Sequence, residues 1–542
     1  MLSTMQDGPL SLAKLVRYGT GVHGASSVVT WQGESGRRSS YAELGVRTAK
    51  LAGALRALGV TGDDRVGTFM WNNAEHMATY LAVPAMGAVL HPLNIRLFPD
   101  QLTYVANHAE DSVVLVDASL LPLFNPLLPG LETVRHVIVV GGDPAAVDAP
   151  AGVTVHGYDE LLAAQPDTFD WVEVDERSAA AMCYTSGTTG NPKGVVYSHR
   201  SIWLHSMQVC MTDGMGLAQS DRMLVIVPMF HAMAWGLPYG AMMVGASLIM
   251  PDRFLQPGPI ADMIAAERPT MAGAVPTIWQ GLLSHLDANP PQDLSGLRNV
   301  VVGGSACPPS LMRAFQERYG VHITHAWGMT ETSPLASVAN PPEAATGEDR
   351  WEYRISQGRL AANVEGRLVG PDGEVMANDG ESVGEIEVRG PWVTARYHKV
   401  DDPEKFDDGW LRTGDVGSMT RDGFLRLTDR SKDVIKSGGE WISSVELENQ
   451  VMAHPAVAEA AVIGVPDPKW DERPLVAVVL REGAEVTPDE LREFLDGKVA
   501  HWQVPENWTF IAEVPKTSVG KFDKKRLRSQ HADGQLAVHH ID

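Results

Sequence analysis

The stretch that most constrains this chain is Tyr184-Thr185-Ser186-Gly187-Thr188-Thr189-Gly190-Asn191-Pro192-Lys193-Gly194, which follows the small apolar run 179–183. Glycines let a backbone take φ > 0 and approach a ligand closely, so successive N–H groups can cradle phosphate oxygens. Thr185, Ser186, Thr188 and Thr189 add hydroxyl donors, and Lys193 adds a positive charge. No Gly-Lys-Ser/Thr follows at the required spacing, so this is not a Walker loop. A generic Gly/Ser/Thr segment reads as a flexible surface loop. This composition, led in by an apolar run and closed by Pro-Lys-Gly, reads as an anion cradle.

The chain around it is too long for one core. It has 542 residues, 44% of them hydrophobic, whereas single cores stop growing near ~250–300 residues. At least two domains are expected. A net charge of −23 repels a phosphate backbone, which argues against a nucleic-acid partner but not against a nucleotide held by local donors. Cys183, Cys210 and Cys307 form neither a Cys-x-x-Cys pair nor a zinc-spaced cluster, so they read as buried, inert thiols in a reducing compartment. The first residues lack the charged and apolar regions of a signal peptide. The longest apolar stretch, 236–250, holds Pro238 and falls short of the ~20 residues a membrane span needs. It reads as a buried helix and strand. A cytoplasmic protein without a transmembrane segment is expected, with a homodimer left open.

The pattern divides the chain. A strand near 28–32 is followed by a capping box, Ser40 with Glu43, and an apolar-periodic helix to Leu58. Apolar runs 223–229, 246–250, 271–275 and 300–302 read as buried strands, alternating with helices over 260–267, 277–286 and 309–319. That alternation predicts βαβ units and a mostly parallel sheet. From 363 to 427 short strands are separated by turns such as Pro371-Asp372-Gly373 and Arg421-Asp422-Gly423, which predicts a small antiparallel β subdomain. The last part reads as a separate α+β unit, with capping boxes at Ser443/Glu446 and Thr487/Glu490 and strands over 456–465 and 475–480. The fold class expected is α/β, with a large N-terminal domain over 1–429, a hinge over 430–433 and a small mobile α+β domain over 434–542.

Further motifs follow in a fixed order: Phe230-His231-Ala232, Gly303-Gly304-Ser305-Ala306, Trp327-Gly328-Met329-Thr330-Glu331, Thr413-Gly414-Asp415, Asp429-Arg430-Ser431-Lys432-Asp433, Ser437-Gly438-Gly439-Glu440, and Pro515-Lys516-Thr517-Ser518-Val519-Gly520-Lys521. With the loop at 184–194, this series resembles the adenylate-forming superfamily of acyl- and aryl-CoA synthetases, peptide-synthetase adenylation domains and firefly luciferase. The resemblance covers nearly the whole chain. It departs at Trp327, where the superfamily usually has tyrosine, and at Lys432, where many relatives carry aspartate.

The resemblance implies a role for each motif. Thr185, Ser186, Gly187, Thr188, Thr189, Gly190 and Lys193 would hold the phosphates of ATP. Asp415 would take the two ribose hydroxyls, an acceptor-only group facing two donors, with Arg430 beside it. Gly303, Gly304, Ser305, Ala306, Ala326, Trp327 and Gly328 would present backbone and one flat face, that of Trp327, to the adenine, and Met329 and Thr330 would belong to the same ATP/AMP site. Thr185 and Glu331 would be the oxygen ligands of Mg²⁺, which completes its shell with phosphate and water. Lys521 would bridge carboxylate and α-phosphate during adenylation, a reaction that needs positioning and charge stabilisation but no protein nucleophile. Within the basic stretch 521–528, Lys524 and Lys525 read instead as solvated lysines. His231 would meet the acyl carboxylate, Lys432 would be the hinge, and Ser437, Gly438, Gly439, Glu440 and Trp441 would form the coenzyme A side after a domain rotation. Taken alone, Asp415 fits an ordinary turn, and Trp327 and His231 fit a packed core; only the shared order assigns them.

The segments 228–235 and 438–444 are most similar to the medium- and long-chain fatty acyl-CoA synthetases. There Trp235 resembles a gate over an acyl tunnel, although a buried core tryptophan reads equally well. Methylmercaptopropionate and some aromatic-acid ligases share the branch. The function implied is ligation of a carboxylic acid to coenzyme A through acyl-AMP, with ATP, Mg²⁺ and coenzyme A required. The rivals are a short-chain, methylmercaptopropionate-type or aromatic-acid ligase, a carrier-protein-loading or luciferase-type enzyme, and a non-catalytic binding relative.

Overall fold

The structure is a computed structural model of the full chain. It describes residues 1, 3–185, 191–290, 293–370, 372–430, 432–437, 440–517 and 520–541. Two sheets carry the first 430 residues. The smaller runs Thr154–Gly157, His136–Val140, Asp111–Asp117, Arg65–Phe69, Val89–Pro92, Ala179–Tyr184 and Gly194–Ser198. Every neighbouring pair is parallel except the last. Strands such as Asp111–Asp117 are buried on both faces, as near-continuous apolar runs require. The phosphate-cradle candidate joins the last two strands, at the carboxyl end of the parallel set, where ligands collect in open α/β sheets.

The larger sheet begins as parallel strands in the order Ser27–Trp31, Ser247–Met250, Arg222–Val225, Met271–Ala274, Asn299–Val302 and His322–Gly328. Its other half, Leu335–Val338, Gly358–Leu360, Phe424–Arg430, Trp410–Met419, Gly384–Arg389 and Glu365–Val369, is antiparallel. The antiparallel strands expected over 363–427 are therefore present, but they are not a free-standing sheet. His322–Gly328 pairs in parallel on one side and antiparallel on the other, so one ladder continues through both halves.

Local signals act where they were read. Ser40 and Glu43 form the reciprocal capping box of helix Tyr41–Ala57, and the helix Pro309–Tyr319 has the predicted bounds. The strand expected over 223–229 stops at Val225. Beyond it the buried Asn72 side chain replaces a strand partner: its amide donates to the Val225 and Val227 carbonyls, both at 2.8 Å, and its oxygen accepts from the Met229 N–H at 2.8 Å. The 236–250 stretch is the helix Leu237–Val244 and the strand Ser247–Met250, and among the described residues no helix is long and apolar enough to cross a membrane.

The C-terminal unit is α+β with its own core, including Ile435, Leu447, Val462, Leu491 and Trp508. Its hairpin Val457–Asp467/Asp471–Leu480 packs with helices Ser444–Met452, Pro488–Leu495 and Lys524–Ala532. Thr487 and Glu490 form a full capping box. Ser443 caps its helix from one side only: it accepts from the Glu446 N–H, while its own hydroxyl donates to the Thr428 carbonyl at 2.5 Å. That bond reaches back across the expected hinge. So does the Ser444 N–H, 2.7 Å from an Asp429 carboxylate oxygen, while Arg528 lies 2.7 Å from Asp433. Lys524 is not the solvated lysine that the basic run suggested. It is buried against Glu448 at 2.9 Å and donates to the Ser444 hydroxyl at 2.5 Å, because the helix turns this side chain inward onto an acidic group.

Candidate active site

A cavity of about 470 Å³ opens where the carboxyl ends of both sheets meet the C-terminal unit. Its walls collect residues far apart in sequence: Thr185, Lys193, His231, Trp235, Gly304, Ser305, Ala306, Ala326, Trp327, Gly328, Met329, Thr330, Glu331, Asp415, Arg430, Lys432 and Lys521. Ser186, Gly187, Thr188, Thr189 and Gly190 lie outside the described residues. The neck of their loop is closed by the Thr185 N–H on the Lys193 carbonyl and the Lys193 N–H on the Thr185 hydroxyl, both at 3.0 Å.

At the neck, charge is arranged by residues that no motif announced. The Lys193 ammonium pairs with Asp402 and stands 5.1 Å from the centre of the Tyr397 ring. The Tyr397 hydroxyl donates to Glu331 at 2.6 Å, and burial followed by the Glu331 charge drives its pKa far up, so it stays a donor. Thr185 and Glu331 thus face the cavity as oxygen donors, the chemistry magnesium takes, with phosphate and water left to complete a shell. Lys405 adds a cation nearby; it donates to the Thr413 carbonyl at 3.2 Å. Tyr397, Asp402 and Lys405 come from one irregular segment whose sequence has no spacing to betray them.

The opposite end is built on cross-strand pairing. Asp415 and Arg430 are register partners on adjacent antiparallel strands, with guanidinium Nε 3.1 Å from carboxylate Oδ1. The Asp415 charge raises the pKa of Arg430 further. The indole Nε1–H of Trp327 donates to the other Asp415 oxygen at 2.8 Å. Trp327 precedes a bulge at which Gly328 packs on the Pro334 carbonyl so closely that a Cβ would sit 1.8 Å from its oxygen.

Lys521 enters from the C-terminal unit. Its loop is a tight turn: the Thr517 N–H donates to the Lys521 carbonyl at 2.7 Å, and the Lys521 N–H donates to the Thr517 hydroxyl at 3.2 Å. The Thr277 hydroxyl holds the Gly520 carbonyl at 3.2 Å. Gly304, whose φ of +85° disfavours other residues, lies under the lysine stem, with the Lys521 Cε 3.4 Å from where a Cβ would stand. Burial and then the Arg430 charge lower the pKa of Lys521 to about 8, against the pull of Asp415 and Glu331.

The apolar end begins with His231. Enclosure, then Lys521 and Arg96, lower its pKa to about 3, so it is a neutral imidazole at physiological pH. It leads into four consecutive non-glycine residues in the left-handed region: Ala232, Met233, Ala234 and Trp235, with φ between 43° and 57°. Each costs roughly 1–2 kcal/mol, which the surrounding packing must offset. All four are buried, and the Ala232 and Met233 amides point at the Cys183 sulfur. The Trp235 indole lies over Gly273 and Gly303, the flat places it needs. Of the coenzyme A-side candidates, Ser437 is buried in the C-terminal sheet against Arg473 at 3.1 Å and does not line the cavity. Glu440 and Trp441 belong to the strand Glu440–Ile442, paired with Ile435–Ser437. Gly438 and Gly439 lie outside the described residues.

Comparison with known proteins agrees with this geometry. The profile of the AMP-binding enzyme family matches residues 21–398, and that of the AMP-binding enzyme C-terminal domain matches residues 446–521. The chain belongs to the AMP-binding enzyme family. Within that family it is 44% identical to a 3-methylmercaptopropionyl-CoA ligase of Ruegeria lacuscaerulensis, over 98% of this chain and 99% of the relative. It is 43% identical to a medium-chain-fatty-acid–CoA ligase of Ectopseudomonas oleovorans, over 98% of each. Its fold matches the crystal structure of an anthranilate CoA ligase in complex with anthranoyl-AMP, with a TM-score of 0.87, 24% identity and coverage of 99% and 100% of the two chains.

Proposed function

We propose that this enzyme joins a medium- or long-chain fatty acid to coenzyme A in two steps through an acyl-adenylate. The observation that carries the proposal is the meeting of four sets of groups in one cavity: Trp327, Asp415 and Arg430; Lys193, Thr185 and Glu331; Lys521; and His231 with Trp235. In the first step a carboxylate oxygen attacks the α-phosphorus of ATP and pyrophosphate leaves. Magnesium arrives with ATP, and Thr185 and Glu331 are the oxygens we assign to it. Lys521 balances charge as the carboxylate and α-phosphate meet, and the neutral His231 donates a ring N–H to a carboxylate oxygen without adding a second cation. In the second step the coenzyme A thiol attacks the acyl carbon, and AMP leaves. Residues 430–433 would form the hinge between the steps, with Lys432 as pivot. We place the enzyme in the cytoplasm, in keeping with its three free cysteines.

The charge on Lys521 gives a pH test. Lysine is charged below its pKa, so a value of about 8 in the free enzyme means that the ammonium is lost as pH rises through that value. kcat/KM for ATP, which reports free-enzyme groups, should fall above about pH 8. Lys521→Arg, whose guanidinium stays charged, should remove the fall; an unchanged fall in that variant would show that another group titrates.

The acid is read from what surrounds Trp235. Met215 lines the cavity with Trp235, while Met223, Met229, Met233, Met242 and Met271 belong to the buried cluster that includes Trp235; flexible thioether chains let such a core adjust to an apolar tail. The identity to the Ruegeria ligase favours a methylmercaptopropionate-type acid as second reading. A panel of acids from acetate to stearate, with 3-methylmercaptopropionate and aryl acids, decides between them. AMP release that depends on coenzyme A and peaks at medium or long chains is expected; a peak at the short thioether acid would replace the first reading with the second.

A further inference from the structure

We infer that Trp327 is a positioning residue for the ribose: its indole N–H fixes the Asp415 carboxylate in the plane from which both oxygens meet the ribose hydroxyls of ATP. The inference rests on the ribose assignment of Asp415 above and adds to Trp327 a job distinct from lying flat against adenine.

A carboxylate at the end of a short side chain turns readily about its last bond, whose torsion is broad and roughly two-fold. One anchor leaves that rotation free. Asp415 has two, one on each oxygen and from different elements: Trp327 Nε1 at 2.8 Å from Oδ2, and Arg430 Nε at 3.1 Å from Oδ1. Each oxygen keeps a further lone pair, and a ribose offers two hydroxyl donors for them. The anchors differ in permanence. The Arg430 side chain is 43% exposed and precedes the proposed pivot by two residues, whereas Trp327 is 6% exposed and packs among Ala336, Ala361 and Val364. Trp327 is therefore the anchor that stays in place when the C-terminal unit turns, and AMP must remain held through that turn. Phenylalanine offers the same flat face without a donor, and tyrosine carries its donor at the far end of the ring.

The test compares ATP with 2′-deoxy-ATP and 3′-deoxy-ATP in acid-dependent pyrophosphate release. A hydrogen bond to a charged group is worth enough to change affinity roughly ten-fold. Trp327→Phe should raise KM for ATP by about that factor and KM for either deoxy nucleotide by no more than about two-fold, so that discrimination between them collapses. In an Asp415→Asn background the same substitution should change KM for ATP by less than about two-fold, because the partner is already disabled. Trp327→Tyr should repeat the Phe pattern, so a failure of one variant to fold leaves the other to be read. A parallel rise for all three nucleotides, or additive effects in the double variant, would reduce Trp327 to a packing surface. A parent enzyme that treats ATP and both deoxy nucleotides alike, with Asp415→Asn harmless, would overturn the ribose assignment itself and the inference with it.

Discussion

Lys521→Ala should slow acyl-adenylate formation by on the order of 10²–10³-fold, the usual effect of removing one preorganised charge-stabilising group. It should leave thioester formation from supplied acyl-AMP within a few-fold. Both halves of this expectation come from position. The lysine reaches the cavity only because its turn is pinned to Thr277 and its stem passes over Gly304. Lys524 also lines the cavity but is paired with Glu448 at 2.9 Å, and Arg528 is paired with Asp433 at 2.7 Å. The first step brings a carboxylate towards phosphate oxygens, so a buried ammonium between them offsets repulsion that water can no longer screen. The second step begins after pyrophosphate has left and is attack of the thiol on the neutral acyl carbon of the adenylate, where that ammonium has no approaching carboxylate to balance. Measuring the half-reactions separately decides the matter: equal losses in both would mean that Lys521 supports the site as a whole rather than the adenylation step.

What the sequence revealed and what it hid divide along the range of the interaction. Short-range features were legible because the residues that make them are neighbours: the Ser40–Glu43 and Thr487–Glu490 boxes and the helix Pro309–Tyr319. Asp415, which taken alone fits an ordinary turn, lies instead inside the strand Trp410–Met419, because its ladder partner Arg430 is distant in sequence. The cavity was legible through the order of its motifs: those at 185, 303–306 and 326–328 come from the carboxyl ends of parallel strands, Asp415 and Arg430 from an antiparallel pair, and Lys521 from a loop of the C-terminal unit. Contacts made across the fold were not. Nothing local marks Tyr397 as the donor to Glu331, Asp402 as the partner of Lys193, or Asn72 as the substitute partner for strand residues 225–229. Ala232, Met233, Ala234 and Trp235 carry no sign of a left-handed turn, because these residue types disfavour φ > 0 and only burial holds them there. Lys524 misled for the same reason in reverse: a run of basic residues looks solvated until a helix turns one of them onto a buried glutamate. Ser443 matched the spacing of a capping box, yet its hydroxyl was claimed by Thr428 across the chain.

Lys432→Pro should suppress thioester formation by about 100-fold or more while pyrophosphate release in the first turnover stays within several-fold of the parent; the size follows from gating of the second step by a backbone rotation. As observed, the C-terminal unit presents Lys521 to the cavity and keeps Ser437 in its own sheet beside Arg473. For the 437–440 loop to reach the same cavity, the unit must turn about the 430–433 segment. The bonds that hold the present orientation across this segment and would have to break are Ser443 to Thr428 and Ser444 to Asp429, whereas the Arg528–Asp433 pair lies beyond the pivot and can turn with the unit. Proline fixes φ and restricts the residue before it to extended conformations, so it removes the two torsions best placed to absorb the turn. Its missing N–H costs little, because among the described residues the Lys432 N–H bonds to no acceptor. The same restriction on the preceding residue loosens the turn closed by the Asp433 and Val434 N–H groups on the Arg430 carbonyl, which sets the several-fold cost to the first step, while the rotation is lost. A burst of acyl-AMP equal to the enzyme concentration, followed by slow release, is the expected trace. Unimpaired thioester formation would place the pivot elsewhere in the chain, and loss of the burst would show that residue 432 shapes the first arrangement as well.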